Sequence, residues 1–373
     1  MKKLSKYRSE FPITEKYTYL NNAAISAPST RVVKAVEAIY REFSRCGIDC
    51  GSAWIERITE VRELFARLIH ADPDEIAFTG NTSEGLSAIA AGLKWKKGDV
   101  VLIPEPEFPA NVYPWMNLER HGVQVTFIQR RDGRLDIEDL NKALQPKTRL
   151  ISLSSVDFAG GFRSDLKAMG SFCKEKGILF CVDAVQSLGV IPMDVKKYGI
   201  HFLSAGGHKW LISSMGCAGL FISKDVADLL HPEIVGWKSV VDDNNFFRID
   251  FDLKPNALRF EPGTMNVAGI YALGAAIDLL LEAGIDKIYR HVMDIIDYLV
   301  EGLKGKNIII KTPMGQKERS GIFSFVPASD PEALIKSFQE KKIIASLRNG
   351  MIRISPHFYN NIEDIDLLLK AFH

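Results

Sequence analysis

Cysteine is scarce in this chain: five residues among 373, far too few for a disulfide framework to hold a protein of this size. Cys46 and Cys50 are separated by three residues with no second pair nearby, which argues against a zinc site. Reduced thiols in the cytoplasm are therefore expected. A dominant charge is also missing. Lys+Arg 47 against Asp+Glu 46 leaves +1, so no global field draws the chain to nucleic acid or an anionic membrane, and no nucleic-acid-binding module is visible. Long apolar runs are absent. The longest uncharged stretch, 210–223, is too short to span a bilayer and is broken by Ser and Gly. The basic first ten residues run into Phe11-Pro12 without an apolar block, so no signal peptide is expected. No GxGxxG follows a predicted strand, and no Walker loop is present.

What is present is an ordinary globular composition, 46% hydrophobic and 25% charged, in a chain long enough for a large core and two or three domains. Strand-like runs at 75–79, 100–103, 123–128, 150–153 and 178–182 alternate with helical patterns at 84–93, 111–120, 137–144 and 166–176. That alternation predicts an α/β unit of parallel strands covered on both faces, and the strands are mostly apolar, as such burial requires. From about residue 265 the pattern changes. Two long helices, 267–282 and 288–303, precede short strands at 308–310, 322–326, 343–346 and 351–355 and helices at 331–341 and 361–372. The expected organisation is an arm over 1–20 packing on the small domain, a large domain over 21–264, and a small α+β domain over 265–373.

Three features fall at predicted strand ends, where open parallel sheets place their ligands. Gly80-Asn-Thr-Ser-Glu84 opens a helix, and its N–H groups with the Thr82 and Ser83 hydroxyls suit a phosphate; taken alone, a plain helix cap is the favoured reading. Asp183, in Cys181-Val-Asp-Ala-Val-Gln186, ends an apolar strand where a carboxylate needs a cationic partner, or simply backbone donors. In Ser204-Ala-Gly-Gly-His-Lys-Trp210, two glycines precede Lys209. A lysine in a partly dry pocket loses proton affinity and becomes a nucleophile, although most lysines sit on the surface.

Together, Asp183-x-x-Gln186 followed by Gly207-His208-Lys209 resembles the class V aminotransferase and cysteine desulfurase-like family of fold-type I pyridoxal-phosphate (PLP) enzymes. The similarity runs from Tyr19-Leu-Asn-Asn-Ala-Ala24 to Met351-Ile-Arg-Ile-Ser355. It implies a large domain around a mostly parallel seven-stranded sheet and a homodimer with shared active sites. It also implies that Lys209 carries PLP covalently and that Asp183 pairs with the pyridine nitrogen. Gln186 would meet the ring hydroxyl, and Thr82, Ser83 and His208 the phosphate. Thr264 would reach the partner's phosphate, and Arg353 would grip the α-carboxylate of an amino acid. No metal is implied.

Three departures from the family pattern stand out. The stretch 341–353 lacks the mobile cysteine of the desulfurase branch, and the last cysteine is Cys217. Phe108 or Pro109 replaces a histidine that stacks on the ring; Phe108 can stack but moves no protons. Gly206 stands where relatives carry a phosphate-binding serine, and Ser204 is the candidate substitute. Arg163 and Arg348 are further candidates for an acidic group of the substrate, and Asn21 and Asn22 for the substrate mouth, with 235–258 as a specificity loop. Transamination is the first expected reaction. A C–S β-lyase or an epimerase is the alternative, and a PLP-binding regulatory protein the remaining one.

Overall fold

The computed structural model describes residues 4–372; residues 1–3 of the arm and residue 373 lie outside the described residues. The strands are β1 (Thr18–Tyr19), β2 (Ile76–Thr79), β3 (Val100–Glu105), β4 (Gln124–Gln129), β5 (Thr148–Ser154), β6 (Leu179–Asp183), β7 (Phe202–Gly206), β8 (Ala218–Ile222), β9 (Ile308–Ile310), β10 (Phe323–Pro327), β11 (Ile343–Ile344), β12 (Ser346–Arg348) and β13 (Met351–Ile354). Seven of them form the central sheet in the order β2-β8-β7-β6-β5-β3-β4. Alternation decides its two faces, because successive side chains point to opposite sides. Val100 and Leu102 of β3, with Phe180 and Val182 of β6, enter one apolar core. Val101, Ile103 and Cys181 enter the other.

The sheet is mostly parallel with one exception. β8 runs antiparallel to both β2 and β7. It lies within the uncharged stretch 210–223, whose apolar residues carry no strand alternation. The helices Thr30–Cys46 and Gly51–Ile69 were also unassigned; both pack on the helix Val267–Ala283. Gly284, in the left half of backbone space at φ 86°, ends that helix and starts Ile285–Gly302. No single helix among the described residues is long and apolar enough to cross a membrane.

The run 343–346, expected as one strand, divides between two sheets. β11 pairs in parallel with β1, whereas β12 joins the antiparallel sheet β12-β13-β10-β9. The arm therefore docks on the C-terminal unit. Arg8 forms a bidentate pair with the buried Asp364, and Phe11 stacks on Tyr359 at 4.1 Å between centroids. One expectation about the cysteines is overturned. Cys46 and Cys50 are joined as a disulfide at the corner between two helices, because a turn brings their Cα atoms to 5.9 Å. Cys173, Cys181 and Cys217 remain free and buried.

Candidate active site

The ends of β5, β6 and β7 and the start of the helix Thr82–Gly92 converge on one pocket. Asp183, the last residue of β6, is only 1% exposed. Its Oδ1 accepts the Val185 N–H at 2.9 Å, while Oδ2 is buried with no hydrogen-bond partner. Burial pushes this carboxyl up to about 7; the Val185 N–H and Lys209 oppose the shift and Glu107 adds to it. Lys209 is 8% exposed. Burial brings its amine down to about 8, against the pull of Asp183 and with help from Arg353 and Arg348. Its Nζ lies 5.2 Å from the centre of the Phe108 ring, within cation–π range.

The phosphate-type cup is local. Asn81, not Ser83, caps the helix, its side chain accepting the Glu84 N–H at 3.0 Å. The Thr82 hydroxyl is thus free of capping duty and accepts the Gly206 N–H at 2.9 Å. Gly206 leaves room that a side chain would fill: a Cβ there would stand 3.0 Å from His208 Nδ1 and 3.2 Å from Thr82 Oγ1. Burial, then the Lys209 charge, lowers the His208 pKa, so its ring is neutral near pH 7. Ser83 is exposed and lines a neighbouring cavity of about 530 Å³ with Phe108 and Tyr113. Ser204 is placed differently from the expectation. It is wholly buried, donates to the Thr82 carbonyl at 3.2 Å, and packs where Gly85 leaves no space for a Cβ. It props the helix from below instead of facing the cup.

Thr264 is exposed on a cavity of about 260 Å³ whose walls include Gly80 and Glu84. A buried ion pair fixes this segment. Glu261 takes a bidentate bond from Arg62 at 2.7 and 3.0 Å and also accepts the Phe78 N–H at 2.8 Å. Gln186 is set by Trp210, whose indole N–H donates to its Oε1 at 2.8 Å; its Nε2 donates to the Ala23 carbonyl and keeps a second hydrogen to offer. Asn22 does not reach the mouth. Its amide donates to the Ser355 carbonyl, and its oxygen accepts from both Ser26 and Tyr359. Asn21 instead carries a buried oxygen with no partner.

On the small-domain side, Arg353 of β13 is 2% exposed. Nε donates to Ser346 Oγ at 3.2 Å and Nη1 to the Phe158 carbonyl at 2.6 Å. Phe158 packs edge-on against Phe108, centroids 5.3 Å apart, which links the guanidinium to the aromatic wall beside Lys209. Arg348 of β12 is half-buried and donates to the Leu347 carbonyl. Arg163 lies elsewhere. It stacks on Tyr289, 5.4 Å from the ring centre, in a separate cavity of about 780 Å³ whose walls include none of Asp183, Lys209 and Arg353.

Two groups near the pocket had no signal in the local sequence pattern. Glu107 accepts from Ser154 N and Oγ and from Phe108 N, at 2.7 to 2.8 Å. Burial raises its pKa, opposed first by Arg130. Arg130 follows β4; its Nε donates to the Pro106 carbonyl, and both terminal nitrogens are buried without a partner. Only the adjacency of β5, β3 and β4 brings these side chains together.

The residues present fit a pyridinium ring bearing a phosphate. The orphaned Asp183 oxygen is a ready acceptor for a ring N–H, the gap at Gly206 opens beside Thr82 and His208, and Lys209 is a poorly solvated amine. Comparisons with known proteins agree. The sequence model of the family described as aminotransferase class-V matches residues 18–368. A probable cysteine desulfurase of Pyrococcus abyssi is 31% identical, over 97% of this chain and 95% of its own. An uncharacterized aminotransferase of Bacillus subtilis, YcbU, is also 31% identical, over 98% of each chain. The apo structure of a cysteine desulfurase from Thermococcus onnurineus superposes with a TM-score of 0.90 at 28% identity, covering 98% of this chain and 96% of that one.

Proposed function

Since the chain belongs to the class-V aminotransferase family of PLP-dependent enzymes, we propose that it is a C–S β-lyase. Its substrate would be an α-amino acid with a sulfur leaving group on the β-carbon, cleaved without a protein-bound persulfide. The observation that carries this reading is the distribution of sulfur. The segment 341–352 before Arg353, which carries β11, β12 and the start of β13, contains no cysteine, and the three free cysteines are buried, with thiols pushed up to about 12 chiefly by burial. Relatives named as probable cysteine desulfurases supply the C–S direction. Transamination, expected first from the sequence, is the second reading; the similarity to YcbU favours it.

PLP, when bound, supplies an electron sink for charge developing at the substrate Cα. The chain supplies the rest. Arg353 would receive the α-carboxylate, a task suited to its planar fork. Its bonds to Ser346 and Phe158 hold that fork still. Lys209, the base in the pocket, would take the Cα proton. Asp183 would hold a proton on the ring nitrogen, with Glu107 limiting how readily the carboxyl ionises when that nitrogen is absent. Thr82, Ser83 and His208 would hold the phosphate, and Phe108 would cover the ring. Neutral His208 beside Lys209 adds no repulsion to the amine.

The pocket would be completed by a second copy of the chain. Residues 234–251 present Ile234, Trp237, Phe246, Phe247, Ile249 and Phe251 to solvent, with Phe247 fully exposed. A patch of that size suits a protein interface, and Thr264 stands beside it.

The test is product analysis of the PLP-loaded protein with L-cysteine, L-cystine and a panel of sulfur-free amino acids. Pyruvate and ammonia in equal amounts, matched by one sulfide from L-cysteine or one cysteine persulfide from L-cystine, support the lyase. A keto acid that retains its side chain supports transamination, and racemised substrate with no keto product supports epimerisation.

A further inference from the structure

Outside the pocket, the five cysteines fall into two classes. Three are sealed in the core. Cys46 and Cys50 are half-buried at the corner between the helices Thr30–Cys46 and Gly51–Ile69. They therefore remain accessible to small solutes while held in bonding range. We propose that Cys46 and Cys50 form a redox-active dithiol that exchanges with low-molecular-weight disulfides, independently of the reaction at Lys209.

Five observations support this. The Cα atoms stand 5.9 Å apart, inside the span a disulfide bridges without backbone movement. The turn that brings them there requires Gly47, whose φ of +51° suits glycine. The reduced state also has a place: Cys46 Sγ lies 3.1 Å from the Glu42 carbonyl, an acceptor for its S–H. Cys50 occupies the cap position of a 19-residue helix and makes no side-chain capping bond. The positive end of that helix dipole favours an anionic sulfur. Finally, a Glu42 carboxylate oxygen and both sulfurs lie within 4.8 Å of one another, which puts a proton acceptor beside the attacking thiol.

The chemistry balances as two exchanges. Cys50 sulfur, its proton passed to Glu42 and on to water, attacks one sulfur of R–S–S–R; an S–S bond forms and R–S⁻ leaves and is protonated. Cys46 sulfur then attacks Cys50 sulfur in that mixed disulfide, closing Cys46–Cys50 and expelling the second R–S⁻. Two protein thiols are oxidised and one external disulfide is reduced to two thiols.

The test incubates the reduced holoprotein in glutathione buffers of graded redox poise, quenches with acid, alkylates, and maps the peptides by mass. The expected result is loss of two alkylatable thiols per chain as the buffer becomes oxidising, recovered in a 46–50 cross-linked peptide. The native PLP absorbance should not change. C46S should trap about one glutathione per chain on Cys50, where the wild-type protein traps almost none. C46A, read with circular dichroism, checks that trapping does not reflect unfolding. The proposal is overturned if Cys46 and Cys50 alkylate independently in oxidising buffer, or if C46S and wild type trap glutathione equally. It is also overturned if the native bond resists dithiothreitol, or if the isolated protein holds one zinc per chain that protects both thiols.

Discussion

Asp183 and Lys209 are both taken out of water, and burial moves each toward neutrality: the carboxyl rises to about 7 and the amine falls to about 8. The lysine shift has a consequence for cofactor loading. Attack on an aldehyde needs the neutral amine, whose population grows as pH rises through its pKa. The rate at which apo-protein takes up PLP, followed by absorbance, should therefore increase with pH and level off above a midpoint of about 8. A midpoint near 10.5, the ordinary lysine value, would mean that Lys209 is not desolvated as described. Lys209→Ala should lower kcat/KM by about 10³-fold or more, with the thermal unfolding midpoint little changed. Arg353→Lys keeps the charge and loses the fork. Removing one charge-assisted hydrogen bond costs about 1.5–3 kcal/mol, so KM should rise about 10- to 100-fold with a smaller change in kcat. Lys209, Asp183 and Gln186 were legible in the sequence because their signals are contiguous, each ending a strand within a few residues. Asn22 and Ser204 misled for the converse reason. Apart from Ser26, what occupies their hydroxyl and amide groups comes from residues 122 to 337 positions away, which no local pattern records.

The elements were legible where periodicity was strong. The alternating strands of the large unit and the two long helices near residue 270 follow from apolar spacing. β8 escaped because its five residues are all buried and carry no period-2 signal. It also breaks the parallel rule that its neighbours set. Its backbone makes a close approach that can be tested. Gly219 packs directly against the Phe65 ring, and a Cβ there would overlap it. Gly219→Ala should destabilise the protein by about 1–3 kcal/mol through overpacking, read as a lower urea midpoint, whereas Gly305→Ala is no control because its φ is positive. A wild-type midpoint in Gly219→Ala would show that β8 does not press on the helix Gly51–Ile69.

For the whole molecule, the sheet and the small antiparallel unit border the pocket, and the chain just after the arm supports it. The Ala23 carbonyl holds Gln186, the sheet brings Asp183 and Lys209, and β13 brings Arg353. That convergence was only partly legible. The order of motifs along the chain pointed to one site, but the placement of Arg130 and Glu107 depended on strand order in space. The exposed apolar run 234–251 predicts that the 41.7 kDa chain sediments as a dimer. Phe247→Asp should shift it toward monomer and reduce activity together; a monomeric wild type with full turnover would remove the partner from the site.

The central claim is that the pocket breaks a C–S bond and returns its cofactor unchanged. It is tested most directly by following the absorbance of the PLP-loaded protein through a single addition of L-cysteine or L-cystine without any keto acid. The account predicts repeated turnover with pyruvate accumulating beyond one equivalent per site and the original spectrum restored. One equivalent of a sulfur-bearing keto acid, with the cofactor left in its amine form, would contradict it.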